Sequence, residues 1–168
     1  MKVILHDLTK EQWEEKKMDQ YVGEDRVLVN AVEIQRYCTG CFCCWLKTPG
    51  TCVIKDKFQH MGELLSTADE LIIITKATFG SYSSCVKNVL DRSISYVQPF
   101  FEIRNGEMHH RERYGNQLNI SAVFYGDSTE GEKETSRQLV MANAINLNSN
   151  MGFVRFETWD TLGKGELA

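Results

Sequence analysis

The sequence predicts a parallel α/β fold, and two observations carry that reading. Leu71–Thr75 is a uniformly apolar, β-branched run, as expected of a strand buried on both faces of a parallel sheet. Shorter apolar runs before and after it are separated by stretches of helical periodicity, which calls for strands joined by right-handed crossovers.

Each element follows in order. Val3–Leu5 is a short apolar run bounded by polar residues and reads as the first strand. Thr9-Lys-Glu-Gln12 has the spacing of a capping box and opens a brief helix to about Met18. Val27–Ile34 carries β-branched residues and reads as a second strand feeding a cysteine-rich loop. Asp56-x-x-Gln59 is the next helix start, with Phe58, Met61, Leu64 and Leu65 on one face. After Leu71–Thr75, Ser83 or Ser84 caps a helix whose inward stripe is Val86, Val89, Leu90 and Ile94. The helical pattern stops from Val97 to Asn116, and Asn105-Gly106 is a tight-turn signal for a small hairpin there. Leu118–Tyr125 resumes the sheet, Thr129-x-x-Glu132 caps a helix to about Ile145, and Phe153–Glu157 is the last strand. One domain over residues 1–160 is expected, with an excursion at about 97–116 and a C-terminal tail at 161–168 that frays from Gly163.

Composition narrows the function classes. With 42% hydrophobic and 25% charged residues, the 168-residue chain has the make-up of an ordinary globular protein. Nineteen basic against twenty-three acidic residues give −4, which offers no electrostatic footprint for nucleic acid. No apolar run reaches membrane-spanning length, and Met1–Asp7 reads as a strand rather than a signal peptide. Six cysteines in that setting imply a reducing, cytoplasmic location, with thiols or metal rather than disulfides. Neither a Ser-His-Asp nor a Cys-His-Asn arrangement is suggested, and no carboxylate pair stands out for hydrolysis.

Four cysteines form the run Cys38-x2-Cys41-x2-Cys44-x7-Cys52, with Gly40 and Pro49-Gly50 supplying tight turns. Three thiolates one short turn apart and a fourth after the Pro-Gly turn can converge on an iron–sulfur cube. The plain alternative is a loop of small buried thiols packing the core. Cys43 has no role in the ligand scheme, and Cys85 reads as a helix-core thiol. In a parallel sheet, ligands sit at the carboxyl ends of the strands, which here are Asp7–Lys10, Cys38–Cys52, Lys76–Ser84 and Gly126–Ser128.

The cysteine segment, the loop Ala77-Thr-Phe-Gly-Ser-Tyr-Ser83 and Val86-Lys-Asn-Val-Leu-Asp-Arg92 together resemble the flavodoxin-like NAD(P)H-dependent FMN reductases. The cysteine spacing is similar to that of the iron–sulfur flavoproteins among them. The likeness runs from Val27 to about Phe156. It implies a flavodoxin-like three-layer sandwich, with a five-stranded parallel sheet in the order 2-1-3-4-5. It also implies an FMN along the four loops, and a homodimer whose partner helps to cover the flavin. By the same resemblance, Ala77, Thr78, Phe79, Gly80, Ser81, Tyr82 and Ser83 flank one side of the ring, and Tyr125, Gly126 and Asp127 the other. Cys38, Cys41, Cys44 and Cys52 would hold a 4Fe–4S cluster near it. Relatives follow the first strand with a Ser/Thr/Gly-rich turn that receives the FMN phosphate. Here the turn is Asp7-Leu8-Thr9-Lys10-Glu11, with one hydroxyl, no glycine and carboxylates at both ends. Only Thr9, Lys10 and a helix dipole remain to receive the phosphate, so weaker FMN binding is expected.

Several residues have two readings. Phe79 and Tyr82 either stack on a flavin or cap the core. Ser83 and Ser84 either contact the cofactor or cap the helix. Asp91-Arg92 reads as a helix-end ion pair, Trp45 as packing for the cysteine loop, and His109-His110 as part of a solvated loop. Two functions follow. One is an oxidoreductase passing electrons from NAD(P)H through FMN to a quinone, flavin or other small acceptor. The other is a flavodoxin-like domain without tight cofactor binding, acting as a cysteine-based redox sensor or partner-binding module.

Overall fold

The computed structural model describes residues 1–165. Five strands, β1 (Lys2–His6), β2 (Arg26–Asn30), β3 (Glu70–Lys76), β6 (Asn119–Tyr125) and β7 (Asn150–Glu157), form one parallel sheet. Two more, β4 (Val97–Arg104) and β5 (Glu107–Glu112), form a separate antiparallel hairpin. The sheet order is β2-β1-β3-β6-β7, which is the expected 2-1-3-4-5 once the hairpin strands are set aside, with β3 central.

Alternation along the strands divides the core between the two faces. Val3, Leu5, Leu71, Ile73, Ile120, Ala122 and Phe124 point to one side. There they meet Met61 and Leu65 of α3 (Met61–Ser66), Val86 and Val89 of α4 (Ser84–Arg92), and Val140 and Ala144 of α5 (Glu130–Asn146). Ile4, Ile72, Ile74, Val123 and Tyr125 point to the other side. Their cover is thin: Trp13 on the six-residue α1 (Lys10–Glu15), Met18 and Tyr21 on the 3-10 turn after it, and Trp159 and Leu162 near the C terminus.

The start of the segment expected to fray, at Gly163 and Gly165, is tied down. Leu162 is buried, and the Gly163 and Gly165 carbonyls accept hydrogen bonds from Gln20 and Tyr21. The segment closes a face that would otherwise lie open to water; tail residues 166–168 lie outside the described residues. Two element boundaries also differ. β2 ends at Asn30, whose side chain accepts from the Val32 amide and turns the chain into a 3-10 segment over Ala31–Glu33. Asp56 does not begin a helix. Its carboxylate accepts from the Phe58 amide in a turn, and α3 begins at Met61.

Candidate functional site

At the carboxyl edge of the sheet, β1, β3 and β6 end around one buried carboxylate. Asp7 Oδ2 accepts from the Thr75 hydroxyl and the Lys76 amide, both at 2.9 Å, and Oδ1 accepts from the Tyr125 hydroxyl at 2.9 Å. The Thr75 hydroxyl oxygen in turn accepts from the Ser83 amide at 3.0 Å, tying the first turn of α4 to the same network. Burial, and then the neighbouring Asp7, push the Tyr125 phenol far above its ordinary value. Beside it, His6 packs at a tilt against Trp13, ring centres 4.4 Å apart, and burial lowers its pKa to about 4. Thr9 and Gln12 form the expected capping box, so the Thr9 hydroxyl is already bonded to the Gln12 amide. Lys10 points into solvent, 3.9 Å from Glu14.

The loop after β3 is a tight, strained turn. The Thr78 and Ser81 amides and carbonyls pair reciprocally at 2.9 and 3.0 Å, forcing Phe79 (φ 50°) and Gly80 (φ 77°) into the left-handed region. A Cβ on Gly80 would stand 2.8 Å from Thr135 Cβ and 3.0 Å from the Glu132 carbonyl, so the turn is seated against the start of α5. Phe79 is 91% exposed at its tip. Tyr82 does the opposite. It is buried, stacked on Phe124 at 5.5 Å, and its hydroxyl accepts from Asn143, with burial pushing its pKa up to about 12. Of the two aromatics expected over a flavin, the structure leaves Phe79 at the surface and places Tyr82 in the core. Ser83 holds the N-cap position of α4 without a side-chain cap bond. The Ala77 amide donates to the Tyr125 carbonyl at 2.9 Å, which sets the loop carrying Gly126 (φ 97°) and exposed Asp127 beside the Ala77–Ser83 loop.

The cysteine loop is held by α4. Asn88, buried in the middle of that helix, accepts from the Cys38 amide at 2.7 Å and donates to the Arg36 carbonyl. One turn on, Arg92 is fully buried and grips Asp56 through two bonds of 2.6 and 2.7 Å, with further bonds to the Ile54 and Arg36 carbonyls. Asn88 and Arg92 therefore fasten both ends of the loop to a single helix face. The expected Asp91–Arg92 pair does not form: Asp91 bonds Lys87, four residues earlier on the exposed face. Polar residues at i and i+4 on an otherwise apolar stripe were the available sequence signal for the clamp. Trp45 sits on the short α2 (Cys43–Leu46) and donates to the Ile94 and Val97 carbonyls, packing the loop as expected. His110 packs at a tilt against the Trp45 and Phe101 rings, and His109 is buried, so the pair lies on β5 and not in a solvated loop.

Cys38, Cys41, Cys44 and Cys52 all line one cavity of about 500 Å³, whose other walls include Leu90, Ile94, Leu147 and Tyr82. Gly40 (φ 64°) and Gly50 (φ 88°) make the tight turns that bring them there. Cys38 and Cys41 are exposed, Cys44 is half-buried and Cys52 is buried. Burial, and then the nearby Cys52, Cys38 and Cys41, raise the Cys44 pKa. Hydrogen bonds from Cys43 lower that of Cys41. Among the described residues, no group of three His, Cys, Asp or Glu side chains is set to hold a metal ion, and no helix is long and apolar enough to cross a membrane.

Known structures share this architecture at low identity. The Trp repressor binding protein from Bacillus subtilis superposes with a TM-score of 0.57 at 14% identity, covering 98% of this chain and 90% of that one. An FMN-dependent NADH-azoreductase from Bacillus anthracis in complex with FMN gives 0.54 at 9%, covering 96% and 88%. An NADPH-quinone reductase from P. pentosaceus gives 0.53 at 13%, covering 94% and 83%. No curated protein matches the chain. The sequence profile of the NADPH-dependent FMN reductases, however, matches residues 9–147, from the first capping box through α5. The chain belongs to the NADPH-dependent FMN reductase family, whose members are flavin-dependent oxidoreductases.

Proposed function

We propose that the chain passes electrons from NAD(P)H through a flavin to a quinone, a second flavin or another small acceptor. The ring would lie at the carboxyl edge between residues 77–83 and 125–127. Exposed Phe79 carries this reading. A rigid turn at the end of the central strand holds a large aromatic in water in a left-handed conformation, and such strain clusters at ligand sites. A flat ring laid over Phe79 would recover the exposed apolar area. Ala77, Thr78, Gly80 and Ser81 would present backbone and hydroxyl groups along the ring's edge, with Gly126 and Asp127 facing them. Tyr82 would support the turn from beneath, and Ser83 would anchor it to Thr75. The ring end of FMN therefore fits this edge; the phosphate end does not, because Asp7 and Glu11 occupy the first loop. When bound, the flavin supplies a hydride acceptor and one- or two-electron release.

Cys38, Cys41, Cys44 and Cys52 are the proposed ligands of a 4Fe–4S cluster. Support comes from their shared cavity and from the exposure of Cys38 and Cys41, which does not suit thiols that merely fill a core. A single zinc, with bonds of about 2.3 Å, draws its sulfurs into a tight tetrahedron. Exposed Phe100, Phe101, Ile103 and Met108 on the hairpin suit a twofold partner and thus a homodimer. The free thiols suit the cytoplasm.

The test is the absorption spectrum of anaerobically purified protein, with iron and acid-labile sulfide measured for wild type and Cys41→Ala. Flavin bands support the oxidoreductase reading, and stoichiometric iron lost in the variant supports the cluster. A colourless protein with a reactive Cys41 thiol would favour the cysteine-based sensor instead.

A further inference from the structure

We infer that the flavin site is blind to the flavin's phosphate, so that riboflavin is bound at least as tightly as FMN. The inference rests on the flavin reading above. A phosphate dianion needs backbone N–H groups at a helix start, hydroxyl donors or a cation. In the loop after β1 and at the start of α5, the protein's own side chains already take several of those donors. Asp7, 8% exposed, takes the Thr75 hydroxyl, the Lys76 amide and the Tyr125 hydroxyl. The Gln12 side chain takes the Thr9 amide, and the Thr9 hydroxyl oxygen takes the Gln12 amide, so two of the N–H groups at the start of α1 are occupied. At α5, Glu132 takes both the Thr129 amide and the Thr129 hydroxyl, with Glu130 beside it in the first turn.

Whereas the start of α4 carries no acid, the starts of α1 and α5 carry acids in the first turn: Glu11 in α1, and Glu132 and Glu130, the latter paired with Lys133, in α5. A phosphate placed there would meet like charge in place of donors. The nearest lysine in the first loop, Lys10, is exposed and points toward Glu14. Asp7 thus acts as an internal anion: it neutralises from within the donors at the strand ends. The neutral ribityl chain of riboflavin meets no such repulsion, and the ring contacts of the two flavins are the same.

The test is fluorescence-quenching titration of wild type, Asp7→Asn and Glu11→Gln with FMN and with riboflavin, at low and high KCl. In wild type the riboflavin Kd is expected to equal or undercut the FMN Kd. Added salt should tighten FMN alone, because it screens repulsion. Glu11→Gln, an exposed change that leaves the fold intact, should tighten FMN by about twofold or more without moving riboflavin. Asp7→Asn should do so by a larger factor. FMN bound about tenfold or more tighter than riboflavin (about 1.4 kcal/mol), or FMN binding competed by inorganic phosphate, would overturn phosphate blindness and leave the flavin reading standing. Binding of neither flavin by the folded protein would overturn both.

Discussion

Replacing Asp56 with alanine removes the carboxylate that both terminal nitrogens of Arg92 engage, at 2.6 and 2.7 Å. The guanidinium is fully buried, and its remaining bonds are to two carbonyls at 3.2 and 3.4 Å. Breaking one side of a buried pair typically costs about 3–5 kcal/mol, because the surviving charge stays desolvated. Asp56 is itself 27% exposed, so water can reach the vacated position and the lower end, about 3 kcal/mol, is expected. In a domain of this size that lowers Tm by roughly 6–12 °C. Urea denaturation followed by circular dichroism measures the loss. The cysteine loop should also become protease-sensitive, since Arg92 fastens its far end. Adding Arg92→Met should recover part of the loss, because the two positions act as one unit. A loss under about 1 kcal/mol, or strictly additive single and double variants, would refute the clamp.

The remaining predictions concern the carboxyl edge and the pH dependence of the clamp. His6, with its pKa lowered to about 4 from an ordinary 6.5, favours the folded state only while neutral. Its contribution is complete above pH 6.5 and falls by about 3 kcal/mol as pH drops from 6.5 to 4, so stability against pH in His6→Gln should lack that slope. Asp56, held below its ordinary value by Arg92, acts in a separate window: its contribution is present above pH 4 and is lost as acid protonates it, a second limb that Asp56→Ala should erase. Gly80→Ala places a Cβ at φ 77° and 2.8 Å from Thr135, and should cost about 2–3 kcal/mol in urea unfolding. Phe79→Ala should change stability by less than about 0.5 kcal/mol while weakening flavin binding several-fold, a separation that a packing role would not give.

Local signals in the sequence proved sufficient where one physical cause decided the outcome. The apolar run at Leu71–Thr75 became the central strand because only a doubly covered position tolerates it. The capping boxes at Thr9 and Thr129 formed as spaced, and Asn105-Gly106 turned the hairpin with φ 52° and 85°. Where tertiary contacts compete, the local signal failed. Asp56 has the spacing of a cap, but its carboxylate is drawn to an arginine thirty-six residues away. Tyr82 sits in the same turn as exposed Phe79, yet its ring turns inward because Phe124 and Asn143 offer a stack and a hydrogen bond. The C-terminal segment carries glycines and charges that read as a tail, but Leu162 fills the face that short α1 leaves open. Convergence of four cysteines on one cavity was legible from spacing; its anchoring by Asn88 and Arg92 was not, because that requires knowing which side of α4 faces the loop.

The central claim is tested most directly by anaerobic reduction. Protein reconstituted with one equivalent of flavin is titrated with NADPH or NADH while the flavin absorbance is followed, with Phe79→Ala alongside. Stoichiometric bleaching of a protein-bound flavin, weakened in the variant, is the predicted result. A flavin that stays free in solution, or remains oxidised in the presence of both nicotinamides, would contradict it.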